Sequence, residues 1–397
     1  MTSELVQMLS ELVALPSVNP MGRAPSGPEY LEDRVTDYLE AFFGQLNLPC
    51  QRQTVEPRRD NIVARLDGAV PCEQGGRLIL FEAHQDTVPV GGMTIDPWTP
   101  LVRDGRLYGR GSCDVKGGLA AMLGAFARLA HERPAGMPTL IMAATVNEED
   151  GHSGATALTQ LWSQADSLIP RRPDAAIIAE PTLLQVVVAH KGVVRWRCHA
   201  HGKATHSSQP HLGVNAIFKM SAVLSALERY HREVLRDSGG HRLCGSPTLS
   251  VGTIAGGLSV NTVPDLCTIE IDRRLIPGED PHAAYRDVIA FVAVATGDDP
   301  AIVHEPPFIA SAGLDDDANG PLAAHMAAAA RAVGLDSRAV GVPYGTNAAA
   351  IAAAGVPSIV FGPGSIDQAH TADEWISLEQ LSAASDALYQ FGRAGDA

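Results

Sequence analysis

The chain has 397 residues, 45% of them hydrophobic and 19% charged, with a formal net charge of -15. That length buries a large core and fits two or three domains at roughly 100–200 residues each. The charge would repel a polyanion, and Lys and Arg are scattered, so nucleic-acid binding lacks its electrostatic footprint.

The N-terminus, MTSELVQMLSELVALPS, has helical periodicity and lacks the basic start and long apolar run of a signal peptide. No apolar run approaches the roughly 18 residues of a membrane span. The six cysteines (Cys50, Cys72, Cys113, Cys198, Cys244 and Cys267) form no Cys-x-x-Cys pair, which argues against a disulfide framework or a thiolate zinc site. A cytoplasmic location is expected.

Helical patterns over 2–15 and 29–46 alternate with strand patterns over 61–66 and 76–84. A glycine-rich stretch, GRLYGRGSCDVKGG, leads into an Ala- and Leu-rich helix. Strands are expected over 139–149 and 174–181, with a helix at SGATALTQLW between them. The alternation predicts an α/β fold, a mostly parallel sheet covered by helices. From about residue 187 to 298 the pattern changes to half-buried strands with helices near 213–234 and 281–295, an inserted α+β domain. The α/β pattern resumes over 299–397, with helices at 319–333, 347–354 and 377–394 and the strand PSIVFG. The domains are therefore 1–186 and 299–397, interrupted by 187–298.

Metal-capable residues follow three predicted strands: His84 and Asp86, then Glu148 and Glu149, then Glu180. The carboxyl edge of an open α/β sheet is where sites are built. Asp114 in the glycine-rich loop and His370 in GPGSIDQAH extend the set. Taken singly, each is ordinarily a solvated loop residue; their joint placement carries the argument. Histidines and carboxylates without thiolates suit zinc, cobalt or manganese. Two histidines and three carboxylates exceed the needs of one catalytic zinc, whereas two ions about 3.5–4 Å apart with one bridging carboxylate use all five.

The stretches EAHQDTVPV, GRGSCDVKGGLAAML, TVNEEDGHSGA, AEPT, GKATHSSQP, GGLSVNTVPD and DQAHTADEW, in order from residue 80 to 375, resemble the M20 metallopeptidase family. The tail GPGSIDQAHTADEW is most similar to its acetylornithine deacetylase and succinyl-diaminopimelate desuccinylase group. The resemblance implies two zinc ions, one on His84 and Glu180, the other on Glu149 and His370, with Asp114 between them. It also implies that Asp86 orients the His84 ring, and that Glu148 is the general base and acid acting on water. The insertion would be a lid and dimerisation domain. His206 would support the oxyanion in the partner subunit's site, and Asn261 and Arg274 would hold the substrate carboxylate. Gly345 and Thr346 in PYGTNAAA would line the substrate pocket. Asn347 departs from the acidic residue often found there. His199 and His201 are expected as surface histidines on one strand face.

The activity so implied is hydrolysis of N-acyl amino acids. A dipeptidase or carboxypeptidase shares the same chemistry; a rate panel of acetylated amino acids and dipeptides separates them. A catalytically silent metabolite-binding relative should have lost a ligand or the base, yet all are present. A serine hydrolase would need a Gly-x-Ser-x-Gly elbow, which the sequence lacks.

Overall fold

The computed structural model describes residues 2–394, in two compact units. The first comprises 1–188, 316–340 and 346–397, the second 189–315 and 341–345.

The first unit is organised on an eight-stranded sheet. Its centre runs Thr139–Thr145, Leu78–His84, Ala175–Ile178, Ser358–Val360, all parallel. These segments are continuous apolar runs because both faces of the sheet are covered, so alternation is lost. The flanks are antiparallel. Cys50–Glu56 and Arg59–Leu66 form a hairpin whose second strand joins Thr139–Thr145, and Val186–His190 runs against Ser358–Val360. The strand at Cys50–Glu56 is absent from the sequence expectation, since its residues are mostly half-exposed and polar.

The helix Lys116–Glu132 buries Leu119, Met122, Leu123 and Phe126 and packs against Leu378–Arg393 and Thr2–Val13. Its first turn approaches its neighbours so closely that only glycine fits. A Cβ on Gly117 would lie 2.4 Å from the Ser112 carbonyl, and one on Gly118 2.9 Å from Ala179. Lys116 points its Nζ at the carbonyls of Leu12 and Leu15. Burial pushes that amine down to about 7. The helix thereby holds the first helix's carboxyl end and fixes where the loop before it, which carries Asp114, enters the sheet edge.

The second unit is an antiparallel sheet ordered Thr248–Gly256, Leu266–Leu275, Gly192–His201, with Ile302–His304 and Ile309–Ser311 also paired to Gly192–His201. Burial alternates along Leu266–Leu275, as one-sided covering demands. The covering helices are Ala216–Arg229, capped by the Asn215 side chain, and Pro281–Thr296, capped by Asp280 with proline in its first turn. Trp196 is fully buried and stacks edge-on against Tyr285 at 5.3 Å. All six cysteines are free. Among the described residues no helix is long and apolar enough to cross a membrane.

Candidate metal centre

Five side chains converge at the carboxyl edge of the parallel strands. His84 ends its strand, Glu180 lies two residues beyond Ala175–Ile178, and Glu149 lies in the turn after Thr139–Thr145. Asp114 precedes the helix Lys116–Glu132, and His370 follows the turn at Ile366–Gln368 with left-handed backbone (φ 61°). His84 Nε2 is 3.1 Å from Asp114 Oδ1 and 3.9 Å from Glu180 Oε1. His370 Nε2 is 3.3 Å from Asp114 Oδ2 and 3.2 Å from Glu149 Oε2. Two groups result, His84–Asp114–Glu180 and Asp114–Glu149–His370, each with its donor atoms within 4.8 Å of one another and with Asp114 common to both.

The electrostatics call for cations. Burial and the Asp114 charge raise the pKa values of Glu149 and Glu180 far above the carboxylate range. Asp114 itself, although burial opposes its ionisation, is held low by His370 and His84. Glu149 Oε1 is buried without a hydrogen-bond partner. Acids packed this closely and an orphaned carboxylate oxygen fit divalent ions, which would reverse those shifts by their own charge. Oxygen and imidazole donors with no sulfur suit a divalent cation rather than a thiolate-bound one.

Glu148 and Glu149 are not on a strand. The strand expected through residue 149 ends at Thr145, and the chain turns at Asn147, whose φ is 61°. Asp86 explains the departure. Its Oδ1 accepts the Glu148 N–H and its Oδ2 the Glu149 N–H, both at 3.1 Å, so these amides leave the ladder for a carboxylate. Asp86 also accepts from Asn19 Nδ2 at 2.8 Å. Burial works against its charge, but contacts with His84, Asn19 and Arg59 prevail and hold it at about 2. The His84 Nδ1 lies closer to the main-chain carbonyl of Asp86, 2.9 Å, than to its carboxylate, 3.6 Å. Asp86 therefore sets the ring with its backbone and the glutamate turn with its side chain.

Glu148 belongs to neither donor group. Its carboxyl is raised by burial and by the charges of Asp114, Asp86 and Glu82, with His84 opposing.

Sequence inspection missed a second carboxylate with a similar task. Glu374, fully buried, accepts from Arg110 Nη1 at 2.7 Å and from the amides of Gly111, Cys113 and Asp114 at 2.9–3.0 Å. It clamps the Asp114 loop to the segment that carries His370. Its sequence signal is its place in DQAHTADEW, four residues after His370. Glu32 and Arg59 also escaped notice; their paired charges meet behind Asn147, where Arg59 Nη1 and Asn19 Nδ2 both donate to Asn147 Oδ1.

Of the remaining candidates, Thr346 is buried in this unit, its Oγ1 accepting the Ala348 N–H at the start of Ala348–Ala353. His206, Asn261, Arg274 and Gly345 belong to the second unit. There His206 and Asn261 come together: Thr205–His206 pairs with Thr262–Val263, and the Ser207 amide donates to the Asn261 carbonyl. Both residues are exposed. Arg274 lies on Leu266–Leu275 with its Nε donating to Asp272 at 2.8 Å. His199 bonds Thr268 and Glu305 and lies beside His201.

A family model described as peptidase family M20/M25/M40 matches residues 80–394. The chain belongs to this family. It is 29% identical to an acetylornithine deacetylase of Pectobacterium carotovorum over 97% of this chain and 96% of the relative. Its fold is similar to that of an M20 metallo-carboxypeptidase from Sulfolobus solfataricus, with TM-score 0.77, 18% identity and 98% of each chain covered. It is also similar to the Bacillus subtilis YXEP protein, a dinuclear metal-binding peptidase of family M20, with TM-score 0.68, 17% identity, and 99% and 97% of the two chains covered. As an M20 member the protein is a metal-dependent amide hydrolase.

Proposed function

We propose that the protein removes the acyl group from an N-acyl amino acid, in the manner of an acetylornithine deacetylase, using two divalent ions, zinc foremost. The observation that carries this reading is the shared Asp114 between two donor groups with Glu148 left outside both. His84 and Glu180 would hold one ion, Glu149 and His370 the other, and Asp114 both. Bound there, the ions would acidify a water molecule and polarise the amide carbonyl.

The chain's own groups do the rest. A carboxylate committed to a cation is a poor base, so Glu149 holds metal while its neighbour Glu148 accepts the proton of water and returns it to the departing amine. Asp86 keeps both in register by gripping their amides. His206 would steady the developing oxyanion in a partner subunit, and Asn261 with the planar fork of Arg274 would bind the substrate carboxylate. Gly345 and Thr346 would border the pocket.

Residues 187–298 would serve as lid and dimerisation domain. That role is supported by the edge strand Thr248–Gly256 and by the exposed apolar side chains Phe218, Leu258 and Val260 in the same unit. The protein would act in the cytoplasm as a homodimer.

The 29% identity to an acetylornithine deacetylase along almost the whole chain favours a deacylase over a dipeptidase. A hydrolysis screen of N-acetyl, N-succinyl, N-formyl and aminoacyl derivatives on zinc- or cobalt-loaded protein tests the choice. Turnover of aminoacyl substrates alone would refute it. Glu148→Gln should lower kcat by at least about 10³-fold while the protein keeps about two ions per chain. Normal turnover in that variant would remove Glu148 as the base.

A further inference from the structure

Among the described residues, the one side chain within ion-pair or hydrogen-bond distance of the Glu148 carboxyl is His152, whose Nδ1 lies 3.5 Å from Oε1. His152 precedes the short helix Ser153–Leu158 with left-handed backbone (φ 59°), and its ring is largely buried. The same Nδ1 is 3.0 Å from Asn347 Oδ1.

The far end of Asn347 determines where the protons lie. Its amide nitrogen is 3.0 Å from Glu82 Oε1 and 3.1 Å from Thr145 Oγ1, and the Thr145 hydroxyl donates to the same Glu82 oxygen at 2.5 Å. The hydroxyl proton is committed to Glu82, so the Asn347 group facing these two acceptors is the NH2. Its carbonyl oxygen therefore faces His152. A carbonyl only accepts, so His152 Nδ1 carries a proton. Burial disfavours the imidazolium, which leaves a neutral ring with Nε2 unprotonated. Asn347 itself is 1% exposed and its three hydrogen-bonding positions face protein groups. The side chain at this position thus addresses His152 and the strand ends, which accounts for an amide serving where an acid was expected.

We propose that His152 is a positioning residue for Glu148: the buried chain Glu82–Asn347–His152 fixes the Nδ1–H tautomer, and that N–H, bonded to Asn347 Oδ1 at 3.0 Å, is shared at longer range, 3.5 Å, with Glu148 Oε1, leaving Oε2 to carry the proton. The assignment rests on Glu148 being the base. A donor beside Oε1 restrains rotation of the Glu148 carboxyl. It also selects one orientation of the carboxyl plane. The proton that Oε2 takes from water is the one it delivers to the leaving amine, so His152 exchanges no proton in the cycle.

The test compares His152→Phe, which keeps a ring and loses the N–H, with His152→Asn, whose amide nitrogen can stand near Nδ1. For each, kcat, KM, bound metal and thermal stability are measured on metal-loaded enzyme with an N-acyl amino acid. The Phe variant should lose about 10²-fold in kcat with KM and metal content within about twofold of native, and the Asn variant should recover to within about fivefold. A Phe variant with native kcat, or an Asn variant that falls as far as the Phe variant, overturns the proposal. A second measurement needs no turnover: ¹⁵N NMR of the native protein, with the His152 signals identified by their loss in His152→Asn. Nδ1 protonated and Nε2 bare at pH 7.5 is the expected result; the opposite tautomer or an imidazolium overturns the proposal. Lack of activity in native, metal-loaded protein would strike the underlying hydrolase reading instead, and is distinguished because it appears before any substitution.

Discussion

In the sheet unit the chemistry-bearing side chains are buried or nearly so, half-exposed His370 apart, whereas in the inserted unit His206 stands exposed on a two-residue strand pair and Asn261 exposed just before its second strand. Arg274, half-buried, is tied by one carboxylate. The contrast separates two physical tasks. A centre of closely packed like charges needs fixed geometry, because displaced donors would leave buried acids uncompensated. Groups proposed to meet a substrate after it arrives need freedom to adjust, and a short exposed strand pair provides it.

Substitutions at the two kinds of position should differ in what they cost. Asp114→Ala removes a donor common to both groups, so bound metal should fall to well below one ion per chain. Glu180→Ala, which touches one group, should leave about one. Metal analysis after dialysis distinguishes them, and equal losses in the two variants would argue against sharing. Arg274→Ala should raise KM roughly 10–100-fold with a smaller change in kcat, since on the proposed reading it removes a carboxylate anchor and leaves the centre intact. Unchanged KM would free Arg274 from that role.

The smallest effect concerns His304 in the inserted unit. Its Nδ1 accepts the Trp196 indole N–H at 3.0 Å, which needs that nitrogen bare. Burial, with the nearby His199 charge, lowers it to about 4 from 6.5. The folded pKa lies below the unfolded one, so the fold favours neutral imidazole. The resulting stability is complete above pH 6.5 and disappears as pH falls towards 4, by at most about 3 kcal/mol. Amide protection along Gly192–His201 should weaken over that interval, and the dependence should flatten in His304→Phe. A flat native profile would contradict it.

Strand-end chemistry was legible because a polar residue closing a run of buried apolar ones has little else to do, as with His84 after LILFEA and Glu180 after AAIIA. The parallel centre of the sheet followed from those same runs. What the sequence concealed was non-local. The end of the strand at Thr145 depends on Asp86, about 60 residues away, accepting amides that would otherwise continue a ladder. The hairpin Leu101–Arg103 and Arg106–Tyr108 pairs with Trp375–Ser377, which no local periodicity reveals. Glu374, Asn19, Glu32 and Arg59 look like ordinary surface polar residues until their partners are known.

Glu374 ties the Asp114 amide to a segment 260 positions further along the polypeptide. During synthesis, then, the nascent protein carries His84, Asp114, Glu149 and Glu180 for a long interval without the strap that arranges them. A cation arriving early would meet loose acids, and full capture would wait until the ribosome had delivered the stretch containing His370 and Glu374. Loading of the proposed centre would in this sense be a late checkpoint on completion of the chain.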